Sequence, residues 1–302
     1  MIVMASAAVY FSSCGTEDNV SSPPAPNPNI AEIVARDPNF TILNAAVTKA
    51  GMSSALAAND ITLLAPDNTS FRLSGIPDVG AINNIPASTL QAILSYHIIT
   101  KRLPFASIPA SDTLKTVSTL NVYGSKNQNG TYLNGVNIKT RDRMGSNGYI
   151  QVVEKVVVPP DSTRKTILAV LNSDTTFSYL LRAVTKLNLT TLLSSGNKLT
   201  VFAPNNAAFR TAGITDVDAV PVDLLDKIVK GHVVGTNIFS SDFRNTNFYL
   251  TLEPTLTLTM STTPFVGIRF AAANSQPFSP IIKTDNVCTN GVIHTISRLM
   301  LP

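Results

Sequence analysis

TLLAPDNTSFRLSGIPDV, residues 62–79, returns later in the chain as TVFAPNNAAFRTAGITDV, residues 200–217. Aligned without a gap, the two stretches share Thr, Ala, Pro, Asn, Phe, Arg, Gly, Ile, Asp and Val at matching positions. Self-similarity over such a length indicates two copies of one structural unit. The copies are set 138 residues apart, which is too long for a solenoid repeat and suits a compact domain.

The similarity extends to both sides of this phrase. Upstream, FTILNAAVTK at residues 40–49 matches FSYLLRAVTK at residues 177–186. Downstream, LQAILSYHII at residues 90–99 matches LDKIVKGHVV at residues 225–234. Each copy then closes on an Asn-Gly pair and an apolar segment that ends in proline at Pro159 or Pro302. The chain is therefore predicted to hold two complete domains in tandem.

Local patterns predict helices followed by strands in each copy. Apolar residues recur at helical spacing in residues 40–58 and 177–193, and short apolar runs stopped by proline indicate buried strands at residues 61–65 and 199–203. Asn68 and Asn206 follow these strands where a helix can start, because an asparagine side chain accepts the first free amides of a helix. Residues 132–138 carry an Asn-Gly turn between strands. This order of elements predicts an α+β fold.

The motif order resembles the fasciclin domain. The resemblance rests on the Thr-to-Phe phrase, the helix that ends near a Tyr-His pair and the closing Asn-Gly strand, and it covers roughly residues 30–302 in two copies. It implies a curled β-sheet wedge or sandwich with flanking α-helices. It also implies structural roles for the motif residues Thr62, Pro66, Asn68, Phe71, Thr200, Pro204, Asn206, Phe209, His232, Asn290, Gly291 and His294.

Two positions depart from the family pattern. Gln151 stands in the first copy where the family usually has histidine, and Gly231 replaces the tyrosine before His232 in the second copy. These departures weaken any function that both copies would share at those positions.

The N-terminus resembles that of a bacterial lipoprotein. Residues 1–13 carry a short apolar stretch, well below the length of about 20 residues that a membrane-spanning helix needs, and are predicted to be a signal peptide. Small residues precede Cys14, which is predicted to become the lipidated first residue. Residues 14–29 are rich in Pro, Ser and Asn and form a predicted tether. The predicted domains then occupy residues 30–160 and 161–302.

Composition points to the cell envelope and away from nucleic acid. Charged residues make up 14% of the chain, tryptophan is absent, and Cys288 is the only cysteine besides Cys14, which excludes a disulfide framework. The net charge of +4 comes from scattered basic residues without the stripe that nucleic-acid binding needs. Acidic Glu17 and Asp18 after the cysteine resemble an outer-membrane export signal. The predicted location is therefore the outer membrane, on its surface or periplasmic face, through a lipid alone.

No catalytic or metal-binding motif is found in the sequence. His97 and His232 occupy equivalent places in different copies, and no histidine, cysteine or carboxylate set has the spacing of a zinc site. Neither a nucleophile elbow nor a glycine-rich phosphate loop is present. We therefore expect a protein that is not an enzyme and that needs no cofactor or metal.

The Tyr96-His97 pair has two interpretations. By resemblance, the Tyr-His region of fasciclin domains contributes to binding cell-surface partners, which makes the pair a candidate contact site. Alternatively, the imidazole lies at a helix-to-strand junction and bonds backbone groups, because a buried polar ring must be paired. The second interpretation is favoured.

The resemblance to the fasciclin domain implies adhesion or matrix binding at the cell surface, and we expect a protein or a glycan as the partner. The alternative is a glycan-binding component of a bacterial polysaccharide-capture system. The absence of tryptophan counts against this alternative, because sugar faces commonly stack on large aromatic rings.

Overall fold

A computed structural model describes residues 27–160, 166–195, 198–245, 247–272 and 276–302. The predicted signal peptide and Cys14 lie outside the described residues, as does most of the tether. Within the described part, the chain forms eleven α-helices and fourteen β-strands, arranged as two domains of the same design.

The helices of the first domain come before most of its strands. Its helices are α1 (Ile30–Arg36), α2 (Thr41–Lys49), α3 (Ser53–Leu56), α4 (Asn68–Leu73), α5 (Val79–Asn83) and α6 (Ala87–Tyr96). Its strands are β1 (Ile61–Pro66), β2 (Ile98–Ile99), β3 (Ser111–Lys115), β4 (Asn121–Asn127), β5 (Gly130–Leu133), β6 (Val136–Gly145) and β7 (Gly148–Val153).

The second domain repeats this order. Its helices are α7 (Ile167–Ser173), α8 (Ser178–Lys186), α9 (Thr190–Ser194), α10 (Asn206–Thr211) and α11 (Val222–Gly231). Its strands are β8 (Leu199–Pro204), β9 (Val233–Val234), β10 (Phe248–Leu250), β11 (Thr257–Ser261), β12 (Gly267–Phe270), β13 (Ser279–Cys288) and β14 (Gly291–Ile296).

Each domain builds one curled sheet from these strands. The strand order is β2-β1-β7-β6-β5-β4-β3 in the first domain, and the second domain has the same order with its own strands. The repeated phrase forms β1 and β8, which pair in parallel with the closing strands β7 and β14. The other described pairings are antiparallel.

Strand β1, next to the short edge strand β2, is buried on both faces, which explains its uninterrupted apolar sequence. Leu63 faces the helices α1 to α6, whereas Leu64 faces the inside of the curled sheet with Leu114, Val122 and Leu133. Each domain thus has two apolar clusters separated by its central strands. The predicted α+β fold with a curled sheet and flanking helices is confirmed.

Two local expectations differ in detail from the structure. The predicted helix over residues 40–58 breaks at Gly51, where φ is +67°, and the one over residues 177–193 breaks at Asn188, where φ is +56°. Glycine and asparagine tolerate this left-handed conformation, so both helices end there and restart. The Asn134-Gly135 turn is confirmed, because both residues have the positive φ that a type I′ hairpin requires.

The boundary between residues 160 and 161 stays a prediction, since residues 161–165 lie outside the described part. Among the described helices, the longest have ten residues, and none has the length and apolar character needed to cross a bilayer.

Candidate functional site: the motif residues and the contact between the domains

His97 ends helix α6 and ties it to the last segment of the first domain. Its Nδ1 donates to the carbonyl of Ile93, one turn earlier, at 2.8 Å. Its Nε2 accepts the backbone N–H of Val157 at 3.0 Å. These two partners fix the neutral tautomer that carries its proton on Nδ1. The side chain therefore clamps the segment around Val157 onto the end of the helix.

His232 repeats this clamp in the second domain. Its Nδ1 donates to the carbonyl of Ile228 at 2.7 Å, and its Nε2 accepts the N–H of Met300 at 3.2 Å. Burial lowers the pKa of both His97 and His232 to about 4, since a charged ring would lose its hydration there. Both imidazoles are therefore neutral at physiological pH.

Tyr96 points into the curled sheet beside this clamp. Its hydroxyl donates to the carbonyl of Asn121 at 2.7 Å and accepts from the Nδ2 of Asn134 at 2.7 Å. Burial raises the pKa of the Tyr96 phenol. Tyr96 is 0% exposed and His97 is 1% exposed. The interpretation of this pair as a partner contact is therefore at odds with the fold, which gives both side chains internal hydrogen bonds and no surface.

Gly231 takes the place of Tyr96 in the second domain, and other side chains fill the space. A Cβ atom on Gly231 would lie 2.8 Å from Cζ of Phe270 and 2.9 Å from Cδ1 of Leu256. Phe270 also packs edge-on against His232, with ring centroids 6.0 Å apart. The missing tyrosine is thus compensated by an aromatic ring that arrives from strand β12.

His294 holds a tight backbone turn on the neighbouring strand. Its Nδ1 accepts the N–H of Asp285 at 3.2 Å, and its Nε2 donates to the carbonyl of Ile238 at 2.8 Å. The ring packs against Phe202 and Phe243, with centroids 5.4 and 5.1 Å away. Burial lowers the pKa of His294, so this ring too is neutral.

Gln151 makes the equivalent bonds in the first domain. Its Oε1 accepts the N–H of Asp142 at 3.0 Å, and its Nε2 donates to the carbonyl of Leu103 at 3.3 Å. Asp142 and Asp285 both have positive φ, 51° and 58°, at matching bulges of β6 and β13. A glutamine amide offers one donor and one acceptor at nearly the same reach as an imidazole. The departure from the family pattern at Gln151 therefore preserves the local structure.

Asn68 and Asn206 cap helices other than their own, which corrects one sequence expectation. Helix α4 does start at Asn68, but its N-cap is Asp67, whose carboxylate accepts the N–H of Ser70 at 2.9 Å. The Oδ1 of Asn68 instead accepts the N–H of Ile42, in the first turn of α2, at 3.1 Å. Asn206 does the same for α8, by accepting the N–H of Tyr179 at 3.1 Å.

Asn147 and Asn290 also cap distant helices. The Oδ1 of Asn147 accepts the N–H of Ile30 at the start of α1, 2.9 Å away. The Oδ1 of Asn290 accepts the N–H of Ile167 at the start of α7, 2.8 Å away. The next residue in each case must be glycine, because a Cβ on Gly291 would lie 2.0 Å from the carbonyl oxygen of Leu199. Gly148 faces the same obstacle in the first domain, at 1.9 Å.

The remaining motif residues also lie in the interior. The hydroxyl of Thr62 donates to the carbonyl of Lys101 and accepts the N–H of Leu103, and Thr200 repeats this pair of bonds in the second domain. Phe71 and Phe209 are buried in the helix-side clusters, and Pro66 and Pro204 end their strands. The motif therefore describes an internal framework.

The two domains touch each other through a surface that the sequence did not reveal. The rings of Tyr123 on β4 and Phe239 in the second domain stack with centroids 5.6 Å apart. Asn127 donates to the carbonyl of Ser241 at 3.2 Å. Around them, Lys198 pairs with Asp112 at 2.9 Å and holds the pKa of that carboxyl below its usual range. In the sequence, only the aromatic Tyr123 at an outward position of β4 could have indicated this contact.

Fold and motif geometry define two α+β domains of one design, whose polar motif residues are used internally. A family model of the fasciclin domain matches residues 38–159 and 175–302, so the chain belongs to the fasciclin family.

Two of the proteins to which the chain is similar are considerably longer than it. It is 27% identical to pig transforming growth factor-beta-induced protein ig-h3 over 257 residues, which are 84% of this chain and 35% of that protein. It is 24% identical to human periostin over 260 residues, 85% of this chain and 29% of that protein. The chain thus spans about a third of the length of these relatives.

A solved structure also resembles the chain. This is the domain pair from the insect cell adhesion molecule Fasciclin I, with 18% sequence identity. The alignment covers 86% of this chain and 96% of that one, with a TM-score of 0.43.

Proposed function

We propose that this protein is a non-catalytic adhesion or matrix-binding protein of the cell surface. Its membership of the fasciclin family supports this function, and a relative in that family is described as a cell adhesion molecule. The two domains together account for most of the chain.

The chemistry of the described side chains supports a role without catalysis. All three histidines of the chain have both ring nitrogens bonded to backbone groups, so none is available as a general base. Burial raises the pKa of the Cys288 thiol to about 12, which keeps it protonated and unreactive. Groups that usually carry hydrolytic chemistry are thus used to hold the fold.

The partner binds the outer side of helix α6, next to the buried Tyr96-His97 pair. Exposed residues of this helix, including Gln91 and Ala92, line an open groove of about 910 Å³ whose opposite wall is the segment 158–160. His97 holds Val157, directly before this wall. The histidine is therefore a positioning residue for the groove, and its effect on binding is indirect.

An adhesion assay with the full chain tests this function. Immobilised protein is expected to retain cells or matrix proteins, and Ala92→Arg, which fills the groove from an exposed position, is expected to remove that retention without changing the melting temperature. Thr185→Arg, on the exposed side of α8, is the matched control and should bind normally.

Two other outcomes would replace the proposal. Selective binding of one sugar class on a glycan array would favour the polysaccharide-capture alternative. Turnover of chromogenic esters or glycosides by the purified chain would show an enzyme. Equal adhesion by the Ala92→Arg variant and the unaltered chain would exclude the α6 groove as the contact surface.

The chain is further proposed to be held at the outer membrane by a lipid on Cys14. Small residues before a cysteine and a proline-rich tether after it support this anchor. A multiply acylated cysteine holds a membrane stably, whereas one acyl chain does so only marginally. Cells fed an alkynyl fatty acid should label the protein, and Cys14→Ala should abolish labelling and release it from membranes. Unchanged labelling of this variant would refute the anchor.

A further inference from the structure

The contact between the domains covers the outer face of β3 and β4 in the first domain, where Val287 and Val292 of the second domain pack beside Phe239. Thr113, Asn121 and Tyr123 point outward from β3 and β4, and together with Lys198 and Phe239 they line a partly enclosed space of about 100 Å³ between the domains. In the sheet register, Thr113 lies directly opposite Tyr123. This pair therefore marks the centre of the covered face.

The equivalent face of the second domain is identified by register. Bridges between Ile99 and Thr116, and between Val234 and Thr251, align β3 with β10. Phe248 and Thr259 are directly opposite each other there, as Thr113 and Tyr123 are in the first domain. The outer face of β10 and β11 is therefore the counterpart of the covered face.

The edge strand β10 of this counterpart face exposes apolar side chains, whereas Thr259, at the place of Tyr123, is only 8% exposed. Phe248 is 66% exposed and Leu250 is 78% exposed, and Ile282 on β13 is exposed on the same side of the sheet. The equivalents of Phe248 and Leu250 in the first domain are the polar residues Thr113 and Lys115. Large apolar side chains clustered on an edge strand mark an interaction surface, because each costs free energy in contact with water.

The segment that covers the first-domain face also has a counterpart at the surface, in which the carbonyl of Ala106 accepts a bond from Lys126 at 3.0 Å. Residues Ser240–Asp242 cover that face, and the backbone N–H of Ser240 is fixed by the carboxylate of Asp285 at 2.8 Å. In the first domain, residues Phe105–Ser107 are fixed in the same way, since the N–H of Phe105 donates to Asp142 at 2.7 Å. Ala106 in this segment is exposed.

We infer that the chain associates head to tail with a second copy of itself. The Phe248-Leu250 face of one copy receives the 105–107 segment of the next, just as the Tyr123 face receives the 240–242 segment within one chain. A contact between two different surfaces leaves one of each unused at the ends of the assembly. The association therefore extends with concentration and does not stop at a symmetric dimer. This inference is independent of the adhesion partner proposed above.

Sedimentation velocity of the full chain over a wide concentration range tests the inference, with Cys14→Ala in every sample to remove the lipid. The average mass is expected to rise with concentration. Phe248→Lys combined with Leu250→Lys should abolish the rise. Val222→Lys combined with Leu224→Lys is the matched control: these residues are also exposed apolar positions of the second domain, and their replacement should leave the rise unchanged.

A second variant separates head-to-tail association from face-to-face pairing. Ala106→Arg blocks the segment and leaves the apolar face intact, and it should also abolish self-association. Mixing it with the Phe248→Lys, Leu250→Lys variant should restore a one-to-one dimer that does not grow further, because each partner then supplies one working surface. The inference is overturned by a monomeric chain at all concentrations, by association that survives in either variant, or by a mixture that stays monomeric.

Discussion

Replacing His97 by alanine distinguishes a structural clamp from a contact residue. The substitution removes the acceptor for the N–H of Val157, which then lies buried without a partner. The Ile93 carbonyl keeps a bond from the backbone N–H of residue 97 at 3.2 Å, so only one backbone group is left unsatisfied. An unsatisfied buried group costs about 1–3 kcal/mol, and the lost ring also leaves a cavity. We expect a total loss of about 3 kcal/mol in the free energy of unfolding.

The loss should appear as a lower melting temperature of the first domain. For a domain of this size, 1 kcal/mol corresponds to about 4 °C, so His97→Ala should lower the transition by about 10 °C. Calorimetry gives the transition, and hydrogen exchange of separate peptides shows which domain has been destabilised. His97→Gln is the matched variant, because its amide can supply the same donor and acceptor, and it should recover part of the loss. His232→Ala should have the same effect on the second domain.

Adhesion provides the decisive second measurement. A clamp predicts that binding by His97→Ala is lost only to the extent that the fold is lost, and that it returns when the temperature is lowered below the new transition. A variant that melts normally and no longer binds would refute the structural role and restore the contact interpretation. The Ala92→Arg variant is the reference for such a defect, since it is expected to lose binding at an unchanged melting temperature.

Three further predictions follow from the same geometry. Burial lowers the pKa of His97 and His232 to about 4, so the unfolded chain binds protons first on acidification. The free energy of unfolding should be at its full value above pH 6.5 and fall between pH 6.5 and 4, by about 2 kcal/mol per histidine at pH 5. Urea titrations measure this loss, which should be smaller in His97→Gln. Gly231→Tyr should destabilise the second domain by overpacking against Phe270, and adding Phe270→Leu should recover stability in a double-mutant cycle. Asn290→Ala leaves the N–H of Ile167, at the start of α7, unsatisfied, and should lower the free energy of unfolding by about 1–3 kcal/mol in the same urea titrations. A smaller loss would show that the cap is dispensable.

Much of the fold follows from the repeated phrase. The doubled motif predicts two domains, and the apolar run that ends at Pro66 predicts a buried strand, because only a strand covered on both faces tolerates so many apolar residues in succession. The turn at Asn134-Gly135 is equally local, since its dipeptide specifies its backbone conformation. These features depend on neighbouring residues and are readable from the chain.

The sequence predicts that the His97 imidazole bonds backbone groups, but the partners of the caps and clamps are far apart in sequence and were not predictable. Asn68 looks like the start of its own helix, and nothing nearby in the sequence shows that its side chain serves α2, 26 residues earlier. The contact between Tyr123 and Phe239 joins different domains, and nothing near Tyr123 in the sequence identifies Phe239 as its partner. Sequence reasoning named the polar motif residues, but only the fold assigns each its bonding partner.

The positions that break the family pattern show how such a framework tolerates change. Gln151 replaces a histidine and keeps one donor and one acceptor on the same backbone groups, so the hydrogen-bond requirement was preserved while the ring was lost. At Gly231 the hydroxyl bonds that Tyr96 makes in the first domain have no counterpart, and Phe270 fills the packed volume from another strand. A contact site for a partner would require the side chain itself, because the partner recognises its shape and charge. Residues that supply only internal bonding or internal volume indicate that these positions support the fold, which agrees with the proposal that a partner binds elsewhere on the surface.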